Sequence, residues 1–164
     1  MESTPHRFCD LSTLAPDVHA LFDAWIDEAT RDDEGRYPSG DALPGPDALT
    51  LLRLKLAVHE WVANLVQHAR FDGRPPLVTI RLDLVADGVL CEVEDNSDGF
   101  DLVAILHERQ EHLEPMPERG MGLLFLQACT ARLSYGPLSA GGHRLTIVVA
   151  PEQDAFVDLM PESV

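Results

Sequence analysis

The chain has 164 residues, the length of about one ordinary domain, and its 45% apolar and 24% charged residues exclude wholesale disorder. Twelve basic residues against 28 acidic ones leave a net charge of −16, which excludes nucleic acid and membrane surfaces as default partners because both are anionic. Cys9, Cys91 and Cys129 are scattered without a Cys-x-x-Cys pair, the usage expected of reduced core cysteines in a cytoplasmic protein. The first residues lack the basic and apolar regions of a signal peptide. No apolar run approaches the roughly 18 residues that span a bilayer.

In chain order, a short strand is expected near Arg7–Leu11. Leu14, Val18, Leu21, Phe22, Trp25 and Ile26 recur at spacings of three and four, which predicts a helix over 14–29 with one apolar face. Residues 31–46 are dense in Gly, Pro and Asp and read as a loop. Asp47 can cap a second helix whose buried stripe is Leu51, Leu54, Val58, Trp61, Leu65 and Ala69, ended by Gly73 and the Pro75-Pro76 pair.

Val78, Ile80, Leu82 and Leu84 alternate with Thr79, Arg81 and Asp83, and Asp87-Gly88 reads as the turn of a hairpin returning over Val89–Val93. Beyond Asp95 come a short helical stretch near Leu102–His107 and an acidic, Pro-containing segment from Glu108 to Glu118. A helix from about Met121 to Thr130, a strand near Ala131–Tyr135 and a last strand over Leu145–Val149 follow. This order predicts an α+β protein, a two-layer sandwich of mostly antiparallel sheet with helices on one face. Residues 1–150 form one domain in this reading, and 151–164 an acidic C-terminal tail.

Three constellations carry chemistry. Glu60, Asn64 and His68 are spaced by four on the second helix and can face one cleft. There a neutral amide oxygen suits Mg²⁺, and a carboxylate can orient or deprotonate a nucleophile. An ordinary polar helix face has the same spacing. Asp95 ends a strand before a turn containing Gly99. Such a carboxylate can accept from an exocyclic amine while glycine admits a flat ring, although solvated acidic turns look similar. Arg119, Gly120 and Gly122 open a helix whose free backbone NH groups suit an anion, or they form a plain glycine-bearing loop. Phe125 occupies the next glycine place of a dinucleotide fingerprint, so that motif is absent.

Taken in order, ExxxNxxxH on a helix, a strand-ending Asp with Gly, and RGxGL resemble the N box and the first two glycine boxes of the GHKL, Bergerat-fold ATPases. The wording AVHEWVANLVQHA is most similar to the anti-sigma-factor serine/threonine kinases, over residues 15–150. The resemblance implies ATP and Mg²⁺ as cofactors, with Glu60 as general base and Asn64 as Mg²⁺ ligand. It implies Asp95 on the adenine amine, Gly99 beneath the base, Arg119, Gly120 and Gly122 at the phosphates, and 108–118 as the ATP lid. It also implies γ-phosphoryl transfer to a serine or threonine of an anti-sigma-factor antagonist, sequestration of a sigma factor, and a homodimer.

This chain departs from the family at three places. Ser97 stands where a glycine is common, and the lid is short, acidic and without lysine. His143 follows Gly141-Gly142 where threonine or asparagine is commoner, so no adenine contact is carried onto it. Thr146 remains the alternative. A non-catalytic ATP-binding regulatory module and a detached histidine-kinase ATPase domain are the other functional readings. The HERQEH run (His107 to His112) lacks zinc-site spacing, and Cys129, Trp25 and Trp61 read as core.

Overall fold

The computed structural model describes residues 4–29, 46–102 and 122–151, and the elements in them follow the expected order. They are β1 (His6–Phe8), α1 (Leu14–Ala29), α2 (Ala48–His68), β2 (Val78–Val85), β3 (Gly88–Asp95), α3 (Gly122–Ala128), β4 (Arg132–Pro137) and β5 (His143–Val149). The strands form one sheet in the order β1-β2-β3-β5-β4, and every neighbouring pair is antiparallel. The chain is thus an α+β two-layer sandwich.

Alternation decides which face is covered. Val78, Ile80 and Leu82 of β2, Val89, Cys91 and Val93 of β3, and Leu145, Ile147 and Val149 of β5 all point one way. They share one buried core with Leu14, Val18 and Phe22 of α1, Leu54, Val58, Trp61 and Leu65 of α2, and Leu123 and Leu126 of α3. The opposite face carries a charged ladder in which Arg81 pairs with Asp83 and Glu92, and Arg144 with Glu92 and Glu94. Such exposed pairs satisfy a polar face and add little stability each. Among the described residues no helix is long and apolar enough to cross a membrane.

Asp47 caps α2 as expected, its Oδ1 accepting from the Thr50 backbone NH at 2.7 Å and its Oδ2 from the Thr50 hydroxyl at 3.1 Å. These two hydrogen bonds, the backbone one first, hold the Asp47 carboxyl below its ordinary value despite the opposing cost of desolvation. α1 is tied to α2 by Lys55, which donates to Asp23 at 2.7 Å.

Several boundaries differ from the expectation. The helix stops at His68, with Ala69 already extended (φ −66°, ψ 139°), rather than running on to Gly73. The hairpin turn is Ala86-Asp87, because Val85 pairs directly with Gly88. Gly88 is required instead by close approach: a side chain there would run into the Val149 backbone of β5. The first strand lies at His6–Phe8, and the last begins at His143 rather than Leu145. Cys91 and Cys129 are buried but Cys9 is exposed, against the expectation of three core cysteines. Trp61 is fully buried, whereas Trp25 only packs partly against the core. The helical stretch near 102–107 (beyond Leu102), the 31–46 loop (before Pro46), the 108–118 lid and the acidic tail lie outside the described residues.

Candidate functional site

The end of β3 is built around one carboxylate. Asp95 is only 4% exposed. Its Oδ1 accepts from the Ser97 backbone NH at 2.9 Å and from the Ser97 hydroxyl, and that hydroxyl oxygen in turn accepts from the Gly99 NH at 3.2 Å. Its Oδ2 is buried without a hydrogen-bond partner among the described residues. Burying a carboxylate oxygen unpaired is costly, so most buried polar groups in natural structures have a partner. Ser97, the unusual residue of this turn, therefore pins one oxygen of Asp95, and the other has no partner among the described residues.

The turn is clamped from the far side. Asn96 accepts from the Leu77 NH at 2.8 Å and donates to the Pro75 carbonyl at 2.9 Å. Asp98 pairs with Arg74, and its backbone NH donates to the Arg70 carbonyl at 2.8 Å. The loop that follows α2 thus braces the Asp95 turn, and Pro75 and Pro76 add stiffness.

An aromatic stack walls the site. Trp61 of α2, Phe100 after the turn, and Tyr135 of β4 lie with ring centroids 5.0–5.2 Å apart, and Tyr135 stacks on His143 of β5 at 5.4 Å and 17°. His143 is the direct register partner of Asp95. Its imidazole lies against Gly99, where an added Cβ would collide with ring atoms Cε1 and Nε2. His143 Nδ1 and the Tyr135 hydroxyl are buried and, like Asp95 Oδ2, have no hydrogen-bond partner among the described residues. Burial first, and then the Asp95 charge, push the Tyr135 phenol up to about 12. The Phe100 backbone counters part of that rise.

Glu60 and Asn64 sit half-buried on α2. Asn64 Nδ2 donates to the Glu60 carbonyl at 2.8 Å, which anchors the amide nitrogen and turns the oxygen end of the group away from that carbonyl. The Glu60 carboxylate lies directly against Gly122, the first residue of α3: any side chain at 122 would overlap Glu60 Oε2. Tertiary packing therefore joins the first and third sequence constellations at one place. His68 is exposed in the last turn of α2. Arg119 and Gly120 lie outside the described residues, as does the HERQEH run.

The structure and the sequence reading part at β5. Thr146 pairs with Glu92 and Ser134 on the charged face of the sheet, away from the Asp95 turn. His143, onto which no contact is carried from the family pattern, is the cross-strand partner of Asp95. Its position next to Asp95 depends on strand register, which no local motif records. Phe100 and Tyr135 were not singled out at all. The only signal in the sequence was their alternation with polar residues. Cys129 is buried, and burial, ahead of the smaller effects of Arg53 and Glu60, raises its thiol, as fits a core residue.

The sandwich thus carries a buried carboxylate at the end of β3, half-satisfied among the described residues, and a carboxylate–glycine contact between α2 and α3. The family described as "Histidine kinase-like ATPase domain" matches residues 20–149, and the chain belongs to that family. A serine-protein kinase, RsbW of Oceanobacillus iheyensis, is 31% identical over 80 residues, covering 46% of this chain and 51% of the relative. The chain thus spans about half the length of the curated relative it matches. Among solved structures, the histidine kinase domain of the Erythrobacter litoralis EL346 blue-light activated histidine kinase gives a TM-score of 0.47 at 20% identity, covering 88% of this chain and 63% of that one. The catalytic domain of histidine kinase ThkA gives 0.42 at 16% identity, covering 92% and 99%.

Proposed function

We propose that the chain is an ATP-dependent protein-serine/threonine kinase of the anti-sigma-factor type. In this reading it transfers the γ-phosphoryl group to a serine or threonine of an anti-sigma-factor antagonist, sequesters a sigma factor, and works as a cytoplasmic homodimer. The observation that carries the nucleotide site is Asp95, whose Oδ1 accepts two hydrogen bonds from Ser97 while its buried Oδ2 lacks a donor among the described residues. An exocyclic amine is the donor that such an oxygen fits. The similarity to the serine-protein kinase of O. iheyensis favours serine or threonine as acceptor. The single ATPase domain is proposed to run to residue 150, with 151–164 as a tail.

Asp95 and Gly99 would hold the nucleobase, Asn64 the Mg²⁺ through its amide oxygen, and Arg119, Gly120 and Gly122 the phosphates. When bound, Mg²⁺-ATP supplies an activated phosphoryl group whose negative charge the metal offsets, and positioning then does most of the work. Glu60, half-buried and held beside Gly122, accepts the proton of the incoming hydroxyl. The acidic surface is not an obstacle, since a phosphate site is neutralised locally whatever the net charge of −16.

The test is Glu60→Ala. Transfer of radiolabel from [γ-³²P]ATP to the antagonist protein should fall by about 10²–10⁴-fold, while ATP affinity measured by calorimetry stays within a few-fold. Unchanged transfer would remove Glu60 from the chemistry. Failure of the wild-type chain to bind Mg²⁺-ATP would overturn the reading as a whole.

A further inference from the structure

Among the described residues, the helical layer stops short of one corner of the sheet. Val78, Ile80, Leu82 and Leu84 of β2 all point to the covered face, and the first three are buried, yet Leu84 is 46% exposed. Its cross-strand partner Val89 and the next residue in that row, Val149, are fully buried. β1 pairs with β2 only as far as Ile80, so it leaves the outer edge of the hairpin tip uncovered. Beside Leu84 lies an open hollow of about 270 Å³, lined by Pro46, Leu84, Val85, Ala86, Gly88 and Pro151. None of these side chains is polar. A half-exposed leucine in core register beside an apolar hollow marks a corner where the core is incomplete, and another apolar group would be buried there favourably.

We propose that residues 152–164 fold back over this hollow and complete the core at the hairpin tip, with Phe156 and Leu159 covering Leu84. The chain itself arrives there: β5 ends at Val149, paired with Val89, and Pro151 forms part of the wall. Five further residues span at most about 18 Å, so Phe156 is tethered close to the hollow. A tether this short gives an effective concentration in the millimolar range, and a contact of modest intrinsic affinity then suffices.

Composition selects the same segment. Residues 156–160 read Phe-Val-Asp-Leu-Met, four large apolar side chains in five positions. Acidic segments that stay in water carry few such groups. Glu152, Asp154, Asp158 and Glu162 can remain solvated, because no charged residue lines the hollow and none need be desolvated. Residues 30–45 approach the opposite wall at Pro46, but their only large apolar groups are Tyr37 and Leu43. None of this depends on the nucleotide site.

A double-mutant cycle in the full chain, read by thermal unfolding, provides the test. Phe156→Ala should lower the melting temperature by about 3–10 °C, the effect of uncovering one large apolar side chain in a chain of this size. Leu84→Ala, at a half-exposed site that the fold tolerates, should cost less. Combining the two should lose less than the sum of the single losses, by about 2 °C or more, because both remove one contact. Leu159→Ala should couple to Leu84→Ala in the same way.

The variant carrying both Phe156→Asp and Leu159→Asp should bind more of a hydrophobic dye than the wild-type chain, and adding Leu84→Ala should reduce that gain. Strict additivity of Leu84→Ala with both the Phe156 and the Leu159 variants would overturn the proposal. So would coupling of Leu84→Ala to Leu43→Ala instead, which would assign the hollow to residues 30–45. Coupling that vanishes on dilution, alongside dissociation in sedimentation, would place the segment on a second copy and overturn the intrachain contact.

Discussion

Replacing Gly122 with alanine would separate catalysis from stability. The new methyl would stand closer than 3.0 Å to Glu60 Oε2 and 3.3 Å from Glu60 Cδ, where ordinary contact begins at 3.4 Å. The carboxylate must therefore retreat by about 1 Å, which is a small demand on the fold because the obstacle is the far end of a flexible side chain. Alanine is also a better helix former than glycine, by up to about 1 kcal/mol in a helix interior and less at the first residue of α3. If Glu60 is the general base, as proposed above, its misplacement by about 1 Å costs on the order of 100-fold in rate.

The expected result is a melting temperature unchanged within about 4 °C, ATP affinity within a few-fold of wild type, and phosphoryl transfer to the antagonist protein reduced about 100-fold. The same substitution on a Glu60→Ala background should have no further effect on rate, because both changes remove one function. Full transfer by Gly122→Ala would refute the placement of the general base. So would additive losses in the double variant.

Other outcomes follow from the packing and the titrating groups. Gly99→Ala should cost about 1–2 kcal/mol from its left-handed backbone alone and more by displacing the His143 ring; an unchanged melting temperature would contradict the Gly99–His143 contact. Asp47→Ala should lose about 0.5–2 kcal/mol of stability in urea unfolding at neutral pH. Because the folded Asp47 titrates below 3.8, its contribution is present above that pH and fades as pH falls through the lower folded value, so the two proteins should converge in acid.

The sign reverses for Tyr135, whose phenol moves from 10.0 to about 12 on folding. Its contribution is intact below pH 10 and is lost as pH rises toward about 12, so alkaline unfolding of Tyr135→Phe should be less steep in that window. The buried Cys91 thiol, raised from 9.0 by burial, starts an earlier alkaline loss that Cys91→Val should remove. Circular dichroism across pH checks both.

Much of the architecture could be read from the chain. The three- and four-residue spacing of Leu14, Val18 and Phe22 and of Leu54, Val58, Trp61 and Leu65 set the helices and the faces they bury, because burial follows periodicity. The alternation of Val78, Ile80 and Leu82 with Thr79, Arg81 and Asp83 set the sheet and its charged outer face. Asp47 announced the start of α2 through its cap. The Glu60, Asn64 and Asp95 positions were visible because local spacing on a helix or at a strand end is itself the signal.

Tertiary structure decided what those residues meet. Only the packing of α3 on α2 brings Gly122 against Glu60, 62 positions away, and only the register of β3 with β5 sets His143 beside Asp95. Hydrogen-bond satisfaction was equally invisible in the sequence. That Ser97 occupies one oxygen of Asp95, and that the other has no partner among the described residues, depends on a turn folded back by Asn96 and Asp98 onto the loop after α2. Sequence determined which groups were available, since side-chain chemistry and local periodicity travel with the chain. Which of them ended buried, adjacent and unpartnered was decided by long-range packing, because free energies of burial belong to surroundings and not to residues.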